Sequence, residues 1–155
     1  MALKSPQAVL EEADALCQRR GVRFTAQRRR VLDILWSAGR PLGADEILEA
    51  MRDGTRALAP PTVYRALDFL VEQGLAHKLA SVYAFVGCHY PDHPHSSQFL
   101  ICRGCGRVTE LEDEAITQSL KSAARETGFR PERRVVEMIG TCADCVRQHR
   151  RDSAQ

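Results

Sequence analysis

Two Cys-x-x-Cys pairs constrain this chain more than any other feature. "CRGC" holds Cys102 and Cys105 directly after the apolar run "FLI", and "CADC" holds Cys142 and Cys145 near the end. Such a turn lets two sulfurs converge on one ion while backbone amides stabilise their charge, and zinc takes four thiolates tetrahedrally at about 2.3 Å. Two turns therefore complete a closed shell. The 36 residues between them, 106 to 141, exceed the roughly 15 to 20 of a compact zinc ribbon and leave room for a strand, a helix and a strand. An ion held there would tie the end of a small α/β domain to its beginning and become a condition of folding, since such sites add on the order of 10 kcal/mol. Six cysteines in 155 residues are too few for a secreted disulfide scaffold, where they reach roughly 8 to 10%. The competing redox dithiol of thioredoxin type needs a strand and a long helix framing a single pair, and that context is missing.

The rest of the chain is punctuated for helices first and strands second. Thr25 suits the N-cap of "AQRRRVLDILWSAG", with Val31, Ile34, Leu35 and Ala38 on one face and Gly39 as the stop. "QAVLEEADALCQRRG" predicts an earlier helix burying Val9, Ala13, Leu16 and Cys17, terminated at Gly21. "ADEILEAMRDG" predicts a short one through Ile47, Leu48 and Met51 to Gly54, and "PTVYRALDFLVEQG" a fourth that turns Val63, Leu67, Leu70 and Val71 inward. "LAHKLA" and "VYAFV" then read as a hairpin turning tightly at Ser81. Four helices and a hairpin are the order of a winged helix-turn-helix. After the aperiodic "GCHYPDHPHSSQ", paired strands at "QFLIC" and "RVTEL" precede a helix over 113–127 using Ile116, Leu120, Ala123 and Ala124; a strand at "RRVVEMIGTC" and a short tail helix follow. No stretch approaches the roughly 18 apolar residues of a membrane span, and cytoplasm is the expected compartment. Net charge is only +2, so an anionic partner has to be held by a local patch; residues 1–86 carry 12 of the 22 Lys+Arg against 10 of the 20 Asp+Glu.

A second set of metal-competent side chains lies outside the paired cysteines: His77 in the hairpin, Cys88 at its exit, His93 and His95 in the connector, and Glu110 at the end of a strand. Each alone has an ordinary alternative as a solvated histidine, a small buried thiol or a surface carboxylate.

"APPTVYRALDFLVEQGL", the positions of His77 and Cys88, "HPHSSQFLICRGCGRVTEL" and the final "CADC" together resemble the ferric uptake regulator family of metal-dependent repressors, and most closely its zinc uptake regulator branch. The resemblance runs from about Gln7 to Cys145. It implies an α+β chain with an N-terminal winged helix-turn-helix DNA-binding domain over 1–86, a connector over 87–98 and a small α/β dimerisation domain over 99–155. It also implies two zinc ions per chain, a structural one on Cys102, Cys105, Cys142 and Cys145 and a regulatory one on His77, Cys88, His95 and Glu110. A thiolate among imidazoles and a carboxylate is a soft four-ligand set that suits zinc, whereas ferrous or manganous sites prefer harder donors in higher coordination. His89, Asp92 and His93 read as solvated connector residues, with a third metal site like those of other family members as the alternative the resemblance implies.

The implied function is a zinc-responsive repressor of zinc uptake genes that binds palindromic double-stranded operator DNA as a homodimer, with no membrane or small-molecule substrate as partner. Thr62, Tyr64 and Arg65 come early on the outward side of the fourth helix, ahead of the acidic Asp68 and Glu72, and are the expected DNA contacts. Of the run Arg28, Arg29 and Arg30, successive residues point about 100° apart, so only one or two can reach phosphate. Asp45 stands where the zinc branch commonly has a DNA-contacting tyrosine. The rivals are an iron- or peroxide-responsive repressor of the same family and, in a different class, a zinc-dependent or dithiol enzyme; no general base beside an open metal position supports the latter.

Overall fold

The computed structural model describes residues 4–52, 58–92, 97–132 and 134–154. The chain divides into two compact units, Met1–Pro94 and His95–Gln155. Gly54, His93 and His95, singled out in the sequence, lie outside the described residues.

In the first unit the helices start and stop where side-chain chemistry dictates. α1 (Pro6–Arg19) is capped by Ser5, whose Oγ accepts from the Ala8 N–H, and α2 (Ala26–Ala38) by Thr25, whose hydroxyl accepts from Arg28. Gly21 and Gly39 end these helices at φ +67° and +62°, a left-handed turn that glycine adopts without a Cβ penalty. α3 (Ala44–Met51) and α4 (Pro60–Glu72) form the helix-turn-helix pair, and prolines at the first positions of α4 cost no hydrogen bond there. Glu46 steadies the start of α3 by accepting from the Gly43 N–H at 2.9 Å and from Arg40 at 2.7 Å.

Leu32, Ile47, Leu67 and Leu70 are sealed completely in the core between these helices. The structure moves the buried face of α2 from the expected set: Leu32 is buried with Val31 and Leu35, Ile34 is only partly covered, and Ala38 is exposed. On α4, Ala66 and Phe69 join Val63, Leu67 and Leu70, while Val71 is partly covered. The wing pairs β1 (Ala76–Leu79) with β2 (Ala84–Gly87) antiparallel, from Ala76 opposite Gly87 to Leu79 opposite Ala84. Its turn is longer than a tight hairpin at Ser81, with a 3-10 segment over Ala80–Val82 and Tyr83 at φ +52°. Leu42 adds a bridge to Phe85 through paired backbone bonds of 3.0 and 2.8 Å.

The second unit is a three-stranded sheet in the order β4-β3-β5. Central β3 (Ser97–Cys102) pairs antiparallel with β4 (Val108–Glu112) and parallel with β5 (Val136–Gly140). α5 (Glu114–Glu126) supplies the crossover that a parallel pair requires. β2 and β3 thus reach Gly87 and Ser97, inside the ends of the expected connector. Gln98 is buried on β3 and fixes the start of α5: its Oε1 accepts from the Asp113 N–H at 2.9 Å and its Nε2 lies 3.5 Å from the Thr117 hydroxyl, while Asp113 caps the helix.

The expected apolar face of α5 is not buried within the chain. Ile116 and Leu120 are exposed, as are Phe129, Val135, Met138 and Ile139. Among the described residues of this unit only Gln98, Phe99, Ile101, Cys102 and Thr117 are buried. So thin a core stabilises a unit of this size poorly without metal, disulfide or partner.

Leu67→Ala, which empties a fully sealed site between helices, is expected to destabilise the helical unit by about 3 kcal/mol in urea unfolding followed by helical circular dichroism. A loss below about 1 kcal/mol would contradict this packing.

Candidate metal centres and nucleic-acid face

The two Cys-x-x-Cys pairs converge. Cys102 ends β3 and Cys105 follows in a turn whose Gly106, at φ +73°, lets the chain double back into β4. Cys142 is the N-cap of α6 (Ala143–Asp152), and Cys145 lies in its first turn. Parallel pairing of β3 with β5 sets Cys102 opposite Gly140, which delivers the second pair beside the first. All four sulfurs lie within 4.8 Å of one another, with Cys102 and Cys145 3.8 Å apart and Cys105 and Cys142 3.7 Å apart. A tetrahedron with arms of about 2.3 Å has edges of about 3.8 Å, so the thiols are spaced for one zinc ion. All four are free thiols.

The surroundings suit anionic sulfur. The Cys142 N–H donates to Cys102 Sγ at 3.2 Å. Backbone hydrogen bonds, first from Cys142 and then from Cys105, hold the Cys102 thiol down at about 6. Side-chain hydrogen bonds with Cys142 and then Cys102 push Cys145 up to about 12, as expected of a thiol that shares its proton with a neighbouring thiolate. The pair at 142 and 145 also sits at the positive end of α6.

Two features of this centre were not singled out in the sequence. Gly104 is required by space rather than by φ, because a Cβ there would lie 2.9 Å from Cys145 Sγ and 3.3 Å from its Cβ. Arg107 reaches Asp144 at 2.6 Å, joining the first turn to the second. A small residue and an Arg/Asp pair inside the two motifs were the available signals.

His77 and Cys88 come together within the first unit. His77 is on β1, opposite Val86, and Cys88 immediately follows β2; their ligand atoms lie within 4.8 Å of one another. Cys88 is buried, its N–H donates to the Leu75 carbonyl at 2.9 Å, and its Sγ accepts from the Tyr90 N–H at 3.4 Å. The segment is further held by Trp36, whose ring meets His89 edge-on at 5.0 Å, and a Cβ at Gly87 would lie 2.3 Å from Trp36 Nε1. In the second unit, Glu110 on β4 accepts from the Ser97 hydroxyl at 2.6 Å.

On α4, Tyr64 and Arg65 are exposed one turn from the helix start, and Thr62 is half-buried with its N–H bonded to Ala59. Asp68 and Glu72 are exposed further along. Arg28 is committed inward, its guanidinium 3.7 Å above the Phe69 ring, which removes it from the basic run; Arg30 is exposed.

The family model described as the ferric uptake regulator family matches residues 19–139. The zinc uptake regulation protein of Escherichia coli (strain K12) is 39% identical over 147 residues, 94% of this chain and 86% of that protein. A zinc uptake regulator solved in complex with zinc and DNA is 38% identical, with a TM-score of 0.90 over 96% of this chain and 99% of that one. The crystal structure of holo XcZur is 42% identical, with a TM-score of 0.84 over 92% and 99% of the two chains.

Gly104→Ala, which forces a methyl against Cys145, is expected to weaken zinc retention about tenfold in chelator competition. Zinc uptake by thiols releases protons, so retention in the unaltered protein falls as the pH is lowered from 8 to 6. Retention that ignores both changes would contradict a four-sulfur centre.

Proposed function

Because the chain belongs to the ferric uptake regulator family, we propose that it is a zinc-responsive transcriptional repressor that binds palindromic operator DNA as a homodimer in the cytoplasm and controls zinc uptake genes. The observation that carries this reading is the buried Cys88 thiol beside His77, in a chain similar to a regulator solved with zinc and DNA. A thiol in the sensing set selects for zinc over ferrous or manganous ions, which counts against an iron or peroxide sensor.

Two zinc ions per chain are assigned. Cys102, Cys105, Cys142 and Cys145 hold the structural ion, and four protein ligands leave it no open position for catalysis. His77, Cys88, His95 and Glu110 are the proposed regulatory set, in which bound zinc supplies charge neutralisation and a fixed ligand geometry. The protein acts here as a regulator and not as an enzyme.

Tyr64 and Arg65 read the major groove from the start of α4, Arg65 by pairing with guanine or phosphate and Tyr64 by holding phosphate or packing on a thymine methyl; Thr62 supports the helix start. Homodimerisation is supported by the exposed Ile116, Leu120, Phe129, Val135 and Met138 and by β5, an edge strand of its sheet. A preference of about 5.5 kcal/mol for the DNA-competent state, within reach of a four-ligand site, turns such a regulator from almost wholly off to almost wholly on.

The test is zinc analysis combined with a mobility shift on a palindromic duplex selected from random sequence by the zinc-loaded protein. The unaltered chain is expected to carry two zinc ions and to shift the duplex only at adequate buffered zinc. Cys88→Ser should retain one ion and lose the zinc-dependent shift. A Cys88→Ser protein that still holds two ions and binds as before would refute the assignment, and reversible ferrous binding at this site would favour the iron sensor.

A further inference from the structure

Arg20, the C-cap residue of α1, is neither a metal-competent side chain nor on the outward face of α4, yet it touches the segments that carry both. Its Nη1 donates to the Gln73 carbonyl at 2.6 Å and lies 3.4 Å from Gln73 Oε1, while its Nη2 reaches the Pro91 carbonyl at 3.5 Å. Gln73 is the C-cap of α4. Pro91 lies three residues beyond Cys88 on the arm that leaves the wing. One guanidinium thus spans two stretches that are far from it and from each other in sequence.

The chemistry of the contact suits a strut. Carbonyls at the end of a helix carry the negative end of its dipole and lack intrahelical partners, so a cation placed there is favoured. Arginine presents several N–H donors in a rigid plane and can serve two carbonyls at once, whereas a lysine ammonium on a flexible stem holds no such relative geometry. The same arm is tied a second time close to α4, by the bond from the Cys88 N–H to Leu75, three residues past the helix and itself bonded back to the Leu70 carbonyl, and to α2 by Trp36 against His89. Cys88 is thus linked toward the C-terminal end of α4 by two routes, the backbone bond to Leu75 and the Arg20 bridge from Pro91 to Gln73.

We propose that Arg20 is a positioning residue of the metal switch, a strut that couples the Cys88 arm to the helix that reads DNA. This rests on the zinc-controlled repressor reading above. The bonds to Gln73 are solvent-exposed, that to Pro91 is part-buried, and all are individually modest, so their loss registers in the coupling between zinc and DNA more than in folding.

The experiment measures binding of the selected palindromic duplex with and without zinc for the unaltered chain, Arg20→Gln and Arg20→Lys. It also measures zinc affinity with and without that duplex. Arg20→Gln is expected to keep its zinc content and melting temperature and to reduce the ratio of zinc-loaded to zinc-free DNA affinity about 3- to 10-fold. By linkage, the enhancement of zinc affinity by DNA falls by the same factor. Arg20→Lys should recover part of the ratio. Equal loss of DNA affinity in both zinc states, or an unchanged ratio, would overturn the proposal. If Arg20→Gln does not fold, the same criteria apply to Arg20→Lys, which keeps the charge. An unaltered chain whose DNA binding ignores zinc would instead overturn the repressor reading, and this inference with it.

Discussion

Convergence of four sulfurs at the foot of one sheet is the constraint on which the second unit depends. β3 delivers Cys102, and β5 runs parallel beside it to deliver Cys142 and Cys145, so the spacing of the thiols and the register of the strands are a single fact. The sheet sets the sulfurs about one tetrahedral edge apart, and an ion bound there holds β5 against β3 in return. That reciprocity matters because few side chains are buried in this unit, and Ile116, Leu120, Phe129 and Met138 are exposed. A core this thin leaves the unit dependent on metal or a partner for its stability.

The first unit is built differently. Its helices close over a continuous apolar core. His77 and Cys88, proposed above as members of the sensing set, sit on the wing and at its exit, against this core. A ligand set on a preformed scaffold spends its binding free energy on shifting a conformational equilibrium, whereas one that creates its scaffold spends it on folding. The two centres differ in donor chemistry accordingly. Four thiolates would make a closed structural shell, while the proposed mixed set around one buried thiol would select for zinc.

Much of this was legible in the sequence because it is carried by local chemistry. Thr25, Gly21 and Gly39 mark helix ends by capping and backbone rules that act over one turn, and the structure has them where those rules place them. The Cys-x-x-Cys pairs announced their own convergence. Less legible was anything decided by packing at a distance. The period of α2 permits either Leu32 or Ala38 on its inner face, and only the neighbouring helices select Leu32. Ile116 and Leu120 were expected in a core because periodicity records an apolar face without saying whether the same chain covers it. Gly104 gave no φ signal because its constraint is a sulfur atom 41 residues further along the chain, Cys145. Arg28 reads as a surface charge in a basic run until Phe69 is found beneath it. The wing turn was longer than the alternation suggested, since Tyr83 occupies a left-handed position usually reserved for glycine or asparagine. His95 lies outside the described residues, so its place in the ligand set rests on the family resemblance.

Amide hydrogen exchange, read before and after a chelator exposes four titratable thiols, tests most directly whether the ion closes the second unit. Segments 97–102 and 136–140 should lose protection together when the metal is withdrawn, while 60–72 in α4 stays protected. Persistence of slow exchange in both strands after complete zinc removal would show that the sheet stands without its ion and would contradict the account.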